Sequence, residues 1–135
     1  MRDCVFEVVS GLYTESVYAR GQFEETPNKI KYIWNEKHSE DDRESIFHLS
    51  CDRKTKSCQV VRNGDVNSVM DFKEGERTGG TLNTAYGVID VQIETEYINL
   101  PGGLSNALEI RYKMGQDGDE PIKNLFMIKR LLQNV

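Results

Sequence analysis

Between residues 86 and 100 the chain alternates with a period of two. Gly87, Ile89, Val91, Ile93, Thr95 and Tyr97 hold the odd positions, and Asp90, Gln92, Glu94 and Glu96 stand between them. Successive side chains of a strand point to opposite faces, so the segment carries one dry face and one wet face. A pattern this long and regular sets an architecture, an antiparallel sheet buried on one side. It sets no chemistry.

The rest of the chain reads as short strands between turn signals, at residues 4–10, 17–25, 30–36, 45–51, 57–62, 66–72, 77–84, 104–114 and 122–132. Cys4, Phe6 and Val8 share a face, as do Val17, Ala19, Gly21 and Phe23. Ile30, Tyr32 and Trp34 line one side of the third strand; Ile46 and His48 line one side of the fourth. Leu104, Leu108, Ile110, Tyr112 and Met114 face away from Glu109, Arg111 and Lys113. Gly21 and the Gly79-Gly80 pair suggest bulges or bends. Asn63-Gly64 suggests a two-residue hairpin, with both central residues at positive φ. The charged run 38–44 reads as a solvated hairpin tip, since a calcium loop needs spaced ligands and a central glycine. The segment 122–132 fits a helix started by Asp119 and Pro121 or a strand, and the short turns before it favour a strand. The expectation is an all-β fold, an antiparallel meander of about 8–10 strands closed into a barrel, because a long twisted sheet curls and closure removes its edges. A β-sandwich is the alternative.

A chain of 135 residues fits a single domain over 1–135, long enough to bury a core without staples. With 38% hydrophobic and 29% charged residues it is globular in composition. A net charge of −5 and a pI near 5.1 argue against nucleic acid and anionic membrane as partners. Met1 to Cys4 leads directly into an amphipathic strand, with no charged and apolar leader pattern, so a cytoplasmic location is expected. No apolar run approaches the length of a membrane helix.

Three cysteines are an odd number. Cys51 and Cys58 flank a polar turn and can face each other across a hairpin, as a disulfide or as two packed thiols; a reducing compartment favours the thiols. Neither they nor His38 and His48 make a recognised zinc spacing. Arg62 shares a face with Cys58 and Val60, where an arginine is costly unless paired. It either points into the barrel and grips a ligand carboxylate or phosphate, or sits at the strand end in a rim ion pair. Tyr32 and Trp34, with Ile46 and His48 if those also face inward, give an aromatic interior with polar tips, which is either a ligand cavity or a filled core. Glu94 and Glu96 fall on the polar face, outside a barrel. No nucleophile elbow, phosphate-binding glycine loop or zinc-protease helix is present in the sequence, and an enzyme is not supported.

The run Val60-Val61-Arg62-Asn63-Gly64, the segment Ser68 to Gly75 and the run Asn83-Thr84-Ala85-Tyr86-Gly87 with Val88-Ile89-Asp90 carry a resemblance. Through Arg62-x-Gly64, Met70-x-Phe72 with Gly75, and Thr84-x-Tyr86-Gly87, the chain resembles the DUF1934 or YwiB-like family over most of its length. The resemblance implies a small bacterial calycin-like (lipocalin-like) β-barrel and supplies no catalytic residues. Some calycin-like barrels bind haem through one histidine, which makes His48 a haem candidate; a lone histidine is in the main a core or rim residue, so no cofactor is expected. The reading is therefore a small-ligand-binding barrel for an apolar or anionic molecule, with Arg62, Tyr32, Trp34, His48, Phe72 and Tyr86 as candidate contacts. The alternatives are a solid barrel acting through its surface or a homodimer contact, and an enzyme of unknown class.

Overall fold

The computed structural model describes residues 1–11, 16–38, 43–64, 66–102 and 106–131. The tip of the charged run, at 39–42, and the expected start of the ninth strand at 104 lie outside those residues. The strands are β1 (Arg2–Gly11), β2 (Val17–Glu25), β3 (Lys29–His38), β4 (Arg43–Asp52) and β5 (Ser57–Asn63). They continue as β6 (Asn67–Lys73), β7 (Arg77–Thr84), β8 (Gly87–Asn99), β9 (Ala107–Gly115) and β10 (Ile122–Leu131). Each strand pairs antiparallel with the next, and β1 closes on β10, from Val5 opposite Leu131 to Gly11 opposite Leu125. The result is an all-β, closed ten-stranded meander. The segment from 122 is a strand, because only an extended chain can satisfy the free edges of both β1 and β9.

Alternation sends one residue in two into the barrel. Phe6, Val8, Phe23, Ile30, Tyr32, Trp34, Leu49, Ile93, Leu108, Ile110 and Ile128 are all nearly or wholly sealed from solvent. The aromatic rings meet one another on the inner face of the barrel. Phe6 lies edge-on to Tyr32 at 5.6 Å, Trp34 approaches Phe126 at 6.2 Å and stacks on Phe47 at 5.1 Å. The middle of the barrel is thus filled with its own side chains, as small barrels are.

Three local expectations are corrected. Gly21 makes no bulge, for its register runs unbroken between Cys4 and Trp34. It is needed for closeness, since a Cβ there would strike the Ile33 carbonyl and lie 2.9 Å from Trp34 Cβ. Gly64 is likewise not among the positive-φ residues, nor is Asn63; a Cβ at Gly64 would collide with the Ser45 side chain. On β8 the alternation breaks at a bulge between Thr95 and Tyr97. The extra residue reverses the phase, so Tyr97 turns outward at 43% exposure and Ile98 is buried in its place.

Candidate functional site

The structure separates the six residues singled out from sequence. Tyr32, Trp34 and Phe72 are buried inside the barrel. Arg62 points inward, because it sits opposite Phe47 and Ser68, both on the inner face. His48 does not. The inner set of β4 is Ser45, Phe47, Leu49 and Cys51, so Ile46 and His48 stand on the outer wall. An aliphatic residue there misled the phase, while the longer run Phe47-x-Leu49-x-Cys51 carried the correct one. Tyr86 is fully exposed at the tip of the β7–β8 hairpin, where its amide donates to Thr84 Oγ1 at 3.1 Å. Neither His48 nor Tyr86 reaches the barrel interior. No group of three or more histidine, cysteine or carboxylate side chains that could hold a metal occurs among the described residues.

The barrel has two mouths. At the first the odd-numbered strands begin and the even-numbered strands end. Here Arg130, at the end of β10, continues the inward series of Phe126 and Ile128. Its guanidinium lies 4.0 Å from the centre of the Phe23 ring, and Arg2 approaches the same ring at 5.6 Å. Phe23 in turn packs on Tyr32, with ring centres 5.1 Å apart. The Tyr32 hydroxyl and Arg130 Nε are both buried, and neither has a hydrogen-bond partner among the described residues; Trp34 Nε1, Arg62 Nε and Thr95 Oγ1 share that state elsewhere in the barrel. A buried donor left without a partner costs about 1–3 kcal/mol. Burial pushes the Tyr32 phenol well above its usual 10.0, with Cys51 adding to the rise and the Arg130 charge opposing it. The charges of Arg130 and the cysteines thus act on the Tyr32 hydroxyl. At the rim, Arg53 Nη2 donates to Glu25 Oε2 at 2.6 Å, which occupies one carboxylate at this mouth.

At the second mouth Arg62 is built into the wall. Its Nη2 donates to Ser45 Oγ at 3.4 Å, and its guanidinium lies 5.4 Å from the Phe47 ring. Phe47 stacks almost parallel on Trp34, at 6°. Ser45 is held against Gly64, the residue whose missing side chain makes room for it. Arg62 thus caps an aromatic stack and is tied to its neighbour strand.

Sequence reasoning found Arg62 and missed Arg130. The signal for Arg130 was present, since Phe126, Ile128 and Arg130 keep one parity along a strand. Beside it stands a second cation, Lys129, and composition alone does not tell which of the two turns inward.

The model of the family described as a domain of unknown function (DUF1934) matches residues 12–128. Among solved structures, the fold is similar to that of the ywiB protein from Bacillus subtilis, with a TM-score of 0.67 at 15% identity. The similarity covers 96% of this chain and 92% of that one. No curated protein matches the chain.

Proposed function

The chain belongs to the DUF1934 family, and we propose on that footing that its barrel is a binding module for a small oxyanion, a carboxylate or phosphate group taken at the first mouth. One observation carries the reading. Two buried donors, the Tyr32 hydroxyl and Arg130 Nε, belong to side chains that pack on the same Phe23 ring, and neither has a partner among the described residues. An oxyanion supplies the acceptors both lack, and a charge-assisted bond to arginine is about twice as strong as a neutral one. Arg2 adds positive charge over the same Phe23 ring. The filled mid-barrel limits the ligand to the mouth, so its acidic head would enter and any apolar body would remain against the rim.

A second reading rests on a different observation. The β7–β8 tip holds Tyr86 at 101% exposure and Val88 at 63%. Large apolar groups projecting from a hairpin suit contact with another macromolecule. Under this reading the barrel is a solid support.

Thermal unfolding in the presence of inorganic phosphate and of benzoate separates the two. A ligand bound to the folded state alone raises stability by about 2.7 kcal/mol at a hundredfold excess over Kd. The expected result is a rise in Tm that Arg130→Ala abolishes and Arg62→Ala leaves in place. A rise abolished by Arg62→Ala moves the site to the second mouth. No rise with either anion removes the binding reading and leaves the surface one.

A further inference from the structure

We propose that Cys51 and Cys58 are a thiol–disulfide exchange site, one that closes as a cross-strand disulfide inside the first mouth by consuming a low-molecular-weight disulfide. The two residues are register partners on β4 and β5, directly opposite one another on the inner face. Both are buried and reduced. Their sulfurs are 2.7 Å apart. Non-bonded carbon atoms rest at about 3.5–4.0 Å, and sulfur is larger, so the pair is already pressed together. A bond at about 2.05 Å needs the sulfurs to close by only about 0.7 Å from the 2.7 Å they now keep.

The position of the pair in its hairpin favours the same chemistry. The two cysteines are the last inward pair before the hairpin tip at 53–56, where Lys56 adopts a φ of 49°. Exchange requires only that the tip and the one Asp52–Ser57 rung beyond the pair open, with the rest of the sheet intact. The Cys58 thiol bonds to Cys51 and, with burial behind it, holds the Cys51 thiol far above its usual 9.0, so the closed pair is protected and the opened tip is the reactive form.

The exchange balances without a further oxidant. One cysteine loses its proton and attacks the external disulfide, releasing one thiolate and leaving a mixed disulfide. The second cysteine, also deprotonated, attacks the protein sulfur of that intermediate and expels the second thiolate. The two protons end on the two released thiols, and the protein gains one disulfide.

Cys4 is the internal control, for it is only half-buried and its thiol turns to the Arg2 carbonyl. The full-length native protein is incubated with oxidised glutathione, quenched in acid, alkylated under denaturing conditions without reductant, and mapped by intact and peptide mass. The expected product has lost the mass of two hydrogens, links Cys51 to Cys58, carries alkylated Cys4, and reverts with dithiothreitol. Cys58→Ser is expected to stop at the mixed disulfide on Cys51. A stable glutathione adduct on the wild-type pair overturns the proposal, as does linkage to Cys4 or oxidation that appears only after denaturant is added.

Discussion

The two mouths of the barrel each aim one arginine inward over a phenylalanine ring, and they differ in what completes the arrangement. At the second mouth Arg62 donates to Ser45, and its ring partner Phe47 stacks on Trp34. At the first mouth Arg130 sits closer to its ring, 4.0 Å against 5.4 Å, and its Nε and the nearby Tyr32 hydroxyl have no hydrogen-bond partner among the described residues. Arg62 Nε is also buried without a hydrogen bond, but Arg62 is tied through Nη2 to the next strand and is a structural member; an orphaned buried donor beside a second one marks a place where another molecule's acceptors belong. The same residue type on the same fold therefore plays two parts, decided by its second neighbour and not by its own burial.

The largest effect expected from this contrast is at the second mouth. Trp34→Ala removes a ring that touches Phe6, Phe47 and Phe126. Large-to-small aromatic substitutions in a core cost about 3–5 kcal/mol, and urea unfolding should show a loss in that range. A loss under about 1 kcal/mol would mean that the stack is not structural, and the contrast between the mouths would collapse.

Tyr32→Phe comes next, with the opposite sign. It keeps the ring contacts with Phe6 and Phe23 and deletes a buried hydroxyl that has no partner. Removing such an orphan is expected to gain about 1–3 kcal/mol in the free protein, while weakening oxyanion binding. The pH dependence sharpens the point. The folded phenol titrates above its usual 10.0, so the folded state holds its proton where the unfolded chain has lost it. That stability is whole below pH 10 and falls as pH rises beyond it. Tyr112, pushed up to about 12 by burial, and Cys51, raised from 9.0, act in the same direction. Alkaline unfolding curves for Tyr32→Phe should therefore be less steep than wild type above pH 10. Equal slopes would place the hydroxyl in solvent and end its role at the mouth.

Much of this geometry was legible in the sequence, and the failures have physical causes. Strict alternation placed Phe6, Phe23, Tyr32, Trp34, Ile93 and Ile110 correctly, because a closed sheet with a wet exterior leaves each of them only one face. Alternation failed where the backbone itself departs from it, as at the Thr95–Tyr97 bulge, which turns Tyr97 out and Ile98 in. It also failed where an outer residue is apolar: Ile46 is 42% exposed and drew His48 inward with it. Glycine was readable as punctuation but not in its cause, since Gly21 and Gly64 serve close approach and not turn geometry. The first mouth was least legible of all. Its members come from β1, β2, β3 and β10, far apart in the chain, and only barrel closure brings Arg130 to Phe23.

The smallest and most direct comparison exchanges the arginines themselves for an apolar residue of similar length. Arg62→Met loses the bond to Ser45 and the contact with Phe47, and leaves the 1%-exposed Ser45 hydroxyl without that donor, while removing a buried Nε that makes no hydrogen bond; a net cost of about 1 kcal/mol follows from those terms. Arg130→Met likewise loses a cation–ring contact and removes an orphaned Nε, but it takes no side-chain donor from a buried serine. The two contributions are of similar size, about 1 kcal/mol each, and oppose one another. Its stability should therefore lie within about 0.5 kcal/mol of wild type, as for a surface change, although its burial resembles that of Arg62. Denaturant midpoints measured on both variants, without added anion, decide it. A cost at Arg130 equal to that at Arg62 would show that both arginines are structural, and the first mouth would then have no call on an external acceptor.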